Sequence, residues 1–252
     1  MDQGTHVKDL HTVGRLFQTL VAPDPTRPLL TFYDDATGER TELSGATLGN
    51  WVAKTANTLV DDLDLEPGQW AAVGLPPHWQ TAAVLLGCWT VGLAVTTAPD
   101  PAEVAFLTLA AACAEWPAVE RYVLGLHPFG LPLPSVPTGC LDFTSEIRTH
   151  GDHFSARTPV TAATPALRWT DADAVTHEHT QSDLCTRAAE RAAALGVPTG
   201  GRVLINTDAH PDPVDWLVAP LAAGATMVLS RNTDTTKFDA RAAAELVTRT
   251  IR

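Results

Sequence analysis

The densest set of ion-binding side chains in this 252-residue chain is His177-Glu178-His179, with His150, Asp152 and His153 upstream. Imidazole and carboxylate groups at such spacing can ligate Zn²⁺ or a similar ion. On a strand, His177 and His179 would share one face. No second ligand pair has a recognisable zinc spacing, so polar residues at a loop and a helix start are the simpler reading. His78 and His210 follow two predicted strands, where α/β domains bind ligands. Pro76-Pro77 before one and Pro211 after the other make both equally suited to a turn. The cysteines Cys88, Cys113, Cys140 and Cys185 are far apart and form no C-x-x-C pair. They read as reduced, mostly buried thiols of a cytoplasmic protein. Cys185 lies two residues before Arg187, but beside Leu184 on a predicted buried face, which suits an inert thiol better than a nucleophile. There is no Gly-x-Ser-x-Gly elbow, no Gly-x-Gly-x-x-Gly turn and no Walker loop. No catalytic, cofactor-binding or metal-binding residue is assigned, and no cofactor is expected.

Composition narrows the partners. Lys plus Arg number 17 against 29 Asp plus Glu, a net charge of −12. Such a surface repels phosphate backbones and anionic lipid, which argues against nucleic acid and membrane as partners. The seven tryptophans therefore read as packing residues rather than a platform for bases. No basic segment followed by an apolar run marks the N-terminus as a signal peptide. Residues 81–98 form an uncharged run of 18, long enough to raise a membrane span. Gly92 splits it into a helical and a β-branched half, so a buried helix followed by a buried strand is expected instead.

Helical spacing of Val7, Leu10, Val13, Phe17 and Leu20 predicts a first helix over 6–21. A strand over 29–33, turn residues at 34–38 and a return strand over 40–43 suggest a hairpin. Ser44 can cap a helix whose face carries Leu48, Val52, Leu59 and Leu63. A strand over 70–75, a helix over 79–91 and a strand over 93–98 follow. A helix over 102–114 and a strand over 121–126 are then expected, with a proline-rich loop after them. The second half repeats the first. At a constant offset of 132 residues Gly68 meets Gly200, Val73 meets Ile205, His78 meets His210, Leu85 meets Leu217 and Gly92 meets Gly224. Two βαβ-type units predict an α/β fold: repeated αβαβ units forming mainly parallel sheets with flanking helices. The expected division is a subdomain over 1–160 and a shorter one over 161–252 that repeats 43–98.

The collinear order of these units resembles the N-terminal region of the adenylate-forming superfamily, which includes acyl-CoA synthetases, adenylation domains and luciferases. Thr47-Leu48-Gly49-Asn50 through Pro67-Gly68-Gln69-Trp70 looks like that family's helix and strand entry. Residues 79–98 are similar to its next helix, Gly turn and strand. Ala174-Val175-Thr176-His177-Glu178-His179 resembles the stretch after its phosphate loop, and Phe238-Asp239 opens a helix with a counterpart there.

The departures matter as much. The family's phosphate loop is rich in Ser, Thr and Gly and ends in Pro-Lys, so that backbone amides and a point charge hold ATP phosphates. Here the matching stretch is Trp169-Thr170-Asp171-Ala172-Asp173-Ala174-Val175, with no Gly or Lys and two carboxylates. Asp171 and Asp173 would repel triphosphate unless a metal ion intervened. Only three lysines occur, Lys8, Lys54 and Lys237. The chain ends at Thr250-Ile251-Arg252, where the family's next strand would begin, so its adenine pocket and mobile C-terminal domain are expected to be missing. The resemblance thus implies a truncated, non-catalytic relative with a binding or regulatory role, its partner an unknown small molecule or protein. The alternative is one half of a split ligase completed by a partner chain. A terminal helix near 238–250 covering the open sheet edge, or a homodimer pairing it, is expected.

Overall fold

The computed structural model describes residues 11–170 and 175–252. Thr12 caps α1 (Val13–Val21) by accepting the Arg15 N–H; Val7 and Leu10 lie outside the described residues. β1 (Pro28–Asp34) and β2 (Glu39–Ser44) form the expected antiparallel hairpin. Ser44 caps α2 (Gly45–Asn57) through the Thr47 N–H, and the helix runs on into a π turn over Thr58–Asp62. β3 (Trp70–Gly74), α3 (Trp79–Val91) and β4 (Ala94–Thr96) complete the first repeat.

The next segment corrects the sequence reading. Residues 102–114 are not a helix: β5 (Ala102–Thr108) is followed by a short 3₁₀ turn over Ala111–Cys113. Val104 and Phe106 face the main core, while Ala105 and Leu107 face a second cluster with Val123. Both faces are buried over Val104–Leu107, so that stretch is apolar throughout and hides its period of two. β6 (Ala118–Leu124), β7 (Leu141–Asp142) and α4 (Phe143–Ile147) come next. β8 (Pro165–Thr170) and β9 (Thr176–Thr180) pair antiparallel. The second repeat is α5 (Gln181–Leu195), β10 (Arg202–Asn206), a π turn over Val214–Val218 leading into α6 (Ala219–Ala222), and β11 (Thr226–Arg231). The expected terminal helix over 238–250 is also corrected. α7 (Phe238–Ala244) is short, Leu246 takes a left-handed conformation (φ 52°), and β12 (Arg249–Ile251) adds to β10 as an edge strand.

The repeats agree down to single hydrogen bonds. Ala94 N–H donates to the Gln69 carbonyl (2.8 Å) and Thr226 N–H to that of Gly201 (2.9 Å). Leu93 donates to Cys88 and Ala225 to Pro220, both at 2.9 Å. Gly92 (φ 93°) and Gly224 (φ 66°) both turn left-handed before the second strand.

Two sheets result, ordered β12-β10-β11-β1-β2 and β7-β6-β5-β3-β4-β8-β9. Every pairing is parallel except the two hairpins, so the architecture is the expected mostly parallel α/β fold. The sheets do not part at residue 160. β1 joins β11 in the smaller sheet, and β8 joins β4 in the larger one. Helix α3 packs on β1 of one sheet and β4 of the other, and every residue of it but Thr90 is buried. Each large apolar side chain so placed, such as Leu85 or Leu86, contributes about 1.5–3 kcal/mol. This explains the uncharged run at 81–98; no helix among the described residues is long and apolar enough to cross a membrane.

Candidate ligand cavity

The connection after β3 runs to β4 on one side, whereas that after β5 runs to β6 on the other. Between the carboxyl ends of β3 and β5 lies the crevice where open α/β sheets bind ligands. A cavity of about 590 Å³ opens beside it, along the carboxyl ends of β3, β4 and β8. Val73, Gly74 and Leu75 at the end of β3 form one wall, and Thr81 and Leu85 of α3 line its base. Leu167 and Trp169 of β8 form the opposite wall, and Pro211, Asp212 and Pro213 close it from the second repeat. Gly74 is required: a Cβ there would stand 2.5 Å from Cζ2 of Trp116, whose indole also lines the cavity.

The polar groups at the rim are engaged with each other. Arg187 of α5 places its guanidinium 4.3 Å from the centre of the Trp169 ring. Its Nη2 donates to Asp212 Oδ2 (3.1 Å), while Asp212 Oδ1 accepts the Val214 N–H (2.8 Å). Trp169 Nε1–H donates to Nε2 of His179 (3.1 Å), which fixes the proton of the neutral ring on Nδ1. Burial, reinforced by the nearby Arg187 charge, holds the His179 pKa below its ordinary value. His177 stacks on Trp169 with ring centres 4.6 Å apart.

The residues singled out in the sequence separate. His177 and His179 do share a face of β9, but Glu178 turns away to pair with Arg168 (2.8 Å). His150 pairs with Asp62 (2.8 Å) beside α2, where Asp152 pairs with Lys54 (2.8 Å). Among the described residues no three His, Cys, Asp or Glu side chains are grouped to hold a metal ion. His78 is a buried cap of α3: its Nδ1 accepts the Gln80 N–H (3.1 Å), and its Nε2 lies 3.5 Å from Glu39. Burial lowers its pKa, against the opposing pull of Glu39. His210 instead bridges Asp215 (3.1 Å) and the carbonyl of Arg252 (3.0 Å). Cys88 and Cys140 are buried and Cys113 is exposed; burial pushes the Cys185 thiol up to about 11. Lys237 pairs with Asp234 (3.3 Å) at the start of α7. Asp171, Asp173 and Lys8 lie outside the described residues. Sequence reasoning missed the joining of Trp169, Arg187 and Asp212, because only the tertiary fold brings three separate elements together.

This fold is shared with acyl-CoA synthetases of known structure. The chain is similar to an acyl-CoA synthetase of Brucella canis (TM-score 0.76, 16% identity), covering 95% of this chain and 46% of that one. An acetoacetyl-CoA synthetase of Streptomyces lividans (TM-score 0.71, 17% identity) is matched over 89% of this chain and 39% of its own length. The N-terminal domain of FACL13 from Mycobacterium tuberculosis gives a TM-score of 0.67 at 13% identity, over 94% of this chain and 61% of that one. The chain thus spans less than two thirds of each of these structures. It is 40% identical over 248 residues to the TIGR03089 family protein of Mycobacterium tuberculosis, covering 94% of this chain and 97% of that protein. It belongs to that family. No family model matches the sequence.

Proposed function

We propose that this protein is a non-catalytic relative of the adenylate-forming enzymes that binds a small molecule in the cavity between its two repeats. The observation that carries the reading is the hairpin β8–β9. Its connection in sequence is Asp171-Ala172-Asp173-Ala174-Val175, at the place where the related enzymes, by the resemblance, present Gly and Lys. Transfer of AMP to a carboxylate needs the phosphates held while charge moves to the leaving pyrophosphate. No Lys, Arg or His is among the described residues lining the cavity, and both described lysines are paired elsewhere. Retained apolar walls with lost phosphate-binding groups favour binding over chemistry.

A pyrophosphate-exchange assay with MgATP over fatty, aromatic and amino acids tests this. We expect no exchange and no micromolar ATP binding by calorimetry. Either signal from the isolated chain would defeat the proposal. A second reading, one half of a ligase completed by another chain, draws on the span of 39–61% of the synthetases. Exchange activity that appears only with a co-purified partner would favour it.

A further inference from the structure

We infer that the cavity selects an uncharged, largely apolar molecule and discriminates against carboxylates and amines. The inference rests on the proposed binding role and adds the ligand's chemical class. The volume of about 590 Å³ lies within the range of small-molecule sites. The wall is mostly apolar, with Leu75, Leu85, Leu167, Trp116 and Trp216 among the lining residues, and polar side chains come only from Thr81, Thr97 and Asp212.

The polar groups decide the charge of the occupant. The Thr81 hydroxyl donates to the Pro76 carbonyl (2.7 Å), leaving it an acceptor. Asp212 has one oxygen on Arg187 and the other on the Val214 N–H, so its charge is already neutralised and an incoming ammonium would have to compete with a guanidinium. Arg187 is held from three sides, by Asp212, Nε2 of His179 (3.3 Å) and the Trp169 face. It is not a lining residue, so the described residues of the lining present no cation to a carboxylate. An ionised group in such a site loses its water and meets no uncommitted opposite charge among the described lining residues, whereas a hydroxyl loses far less.

The test uses three probes on one framework, 4-phenylbutanol, 4-phenylbutanoate and 4-phenylbutylamine, titrated into the full chain by calorimetry at pH 7.5. A salt concentration of about 0.15 M screens the net negative charge. The alcohol is expected to bind at least tenfold more tightly than either ion. Thr97→Trp, at an exposed position on the cavity rim, should weaken the alcohol at least fivefold with unchanged circular dichroism, and Gly74→Ala, whose Cβ forces the lining Trp116 indole to shift, should change the alcohol affinity at least fivefold. A carboxylate or amine that equals the alcohol overturns the inference and leaves the binding role standing. Alcohol binding that ignores both substitutions places it elsewhere and also overturns it. If none of the three binds, the binding role falls as well.

Discussion

Glu245 is the group on which the last segment of the chain depends, and replacing it with Gln should show how strongly. Its carboxylate accepts from Tyr33 Oη (2.6 Å), Arg202 Nη2 (2.6 Å) and Arg40 Nη2 (3.0 Å). The contacts tie the segment after α7 to β1, β2 and β10. Its side chain is only 9% exposed, and that of Arg202 16%, whereas Arg40 is 46% exposed. Breaking a buried pair costs about 3–5 kcal/mol, and a hydrogen bond to a charged group about 1.5–3 kcal/mol. Arg40 regains water when released, so the lower part of that range applies. Glu245→Gln should therefore lose about 2–3 kcal/mol. With a urea m-value of about 3 kcal/mol per M, the midpoint falls by roughly 0.8 M. Arg40→Met removes the exposed partner alone and should cost only about 0.5 kcal/mol. Urea titrations of both variants, followed by tryptophan fluorescence, measure the difference. Equal losses, or a loss under about 0.5 kcal/mol for Glu245→Gln, would refute the assignment of Glu245 as a buried anchor.

The pH dependence should show two limbs. His78 is held below its ordinary value of 6.5 by burial, so the unfolded chain takes up its proton first and stability falls as pH drops below about 6.5. His78→Asn, which keeps a capping side chain, should flatten that limb in melting curves taken between about pH 7 and 5. At Asp215 burial works to raise the pKa, but hydrogen bonds from Arg191 (2.6 and 2.8 Å) and His210 outweigh it, and the net shift is below 3.8. Its stabilisation is complete above that value and is lost as pH falls through the lower folded pKa, so Asp215→Asn should flatten the acid limb below about pH 4 and leave the upper one. Gly92→Ala and Gly224→Ala should both destabilise, by about 1–2 kcal/mol for the left-handed backbone. The loss should be larger at Gly92, where a Cβ meets Val160 at 2.9 Å, than at Gly224, where it meets only Gly200 N at 4.0 Å; equal melting temperatures would contradict this.

Elements with local punctuation were legible in the sequence. α3 has the bounds expected of it because Pro76-Pro77 precede it, His78 caps it and Gly92 ends it. The repeat was legible because its glycines occupy positions that need positive φ. β5 was misread because alanine suits either structure and both its faces are buried. β12 was misread because its place is set by pairing with β10, and the Leu246 backbone that stops α7 carries no glycine to announce it. The period of two in His177-Glu178-His179 correctly put the histidines on one face. Nothing local could show that this face meets Trp169 and Arg187.

The repeat also accounts for where the cavity lies. In each unit the segment after the first strand turns through a proline-containing loop into the next helix: Leu75-Pro76-Pro77 in one, Pro211-Asp212-Pro213 in the other. Both loops line the same space. Proline fixes φ and supplies no N–H, so these turns bring little backbone donor capacity to a cavity whose other walls are apolar. Trp216 Nε1–H is spent on the Pro211 carbonyl (3.1 Å) and the Thr81 hydroxyl on that of Pro76. Two halves that converge on one crevice, and engage Thr81, Trp216 and Asp212 internally, suit the proposed recognition of shape and apolar area. The described residues that line it include no Lys, Arg or His to hold a phosphate.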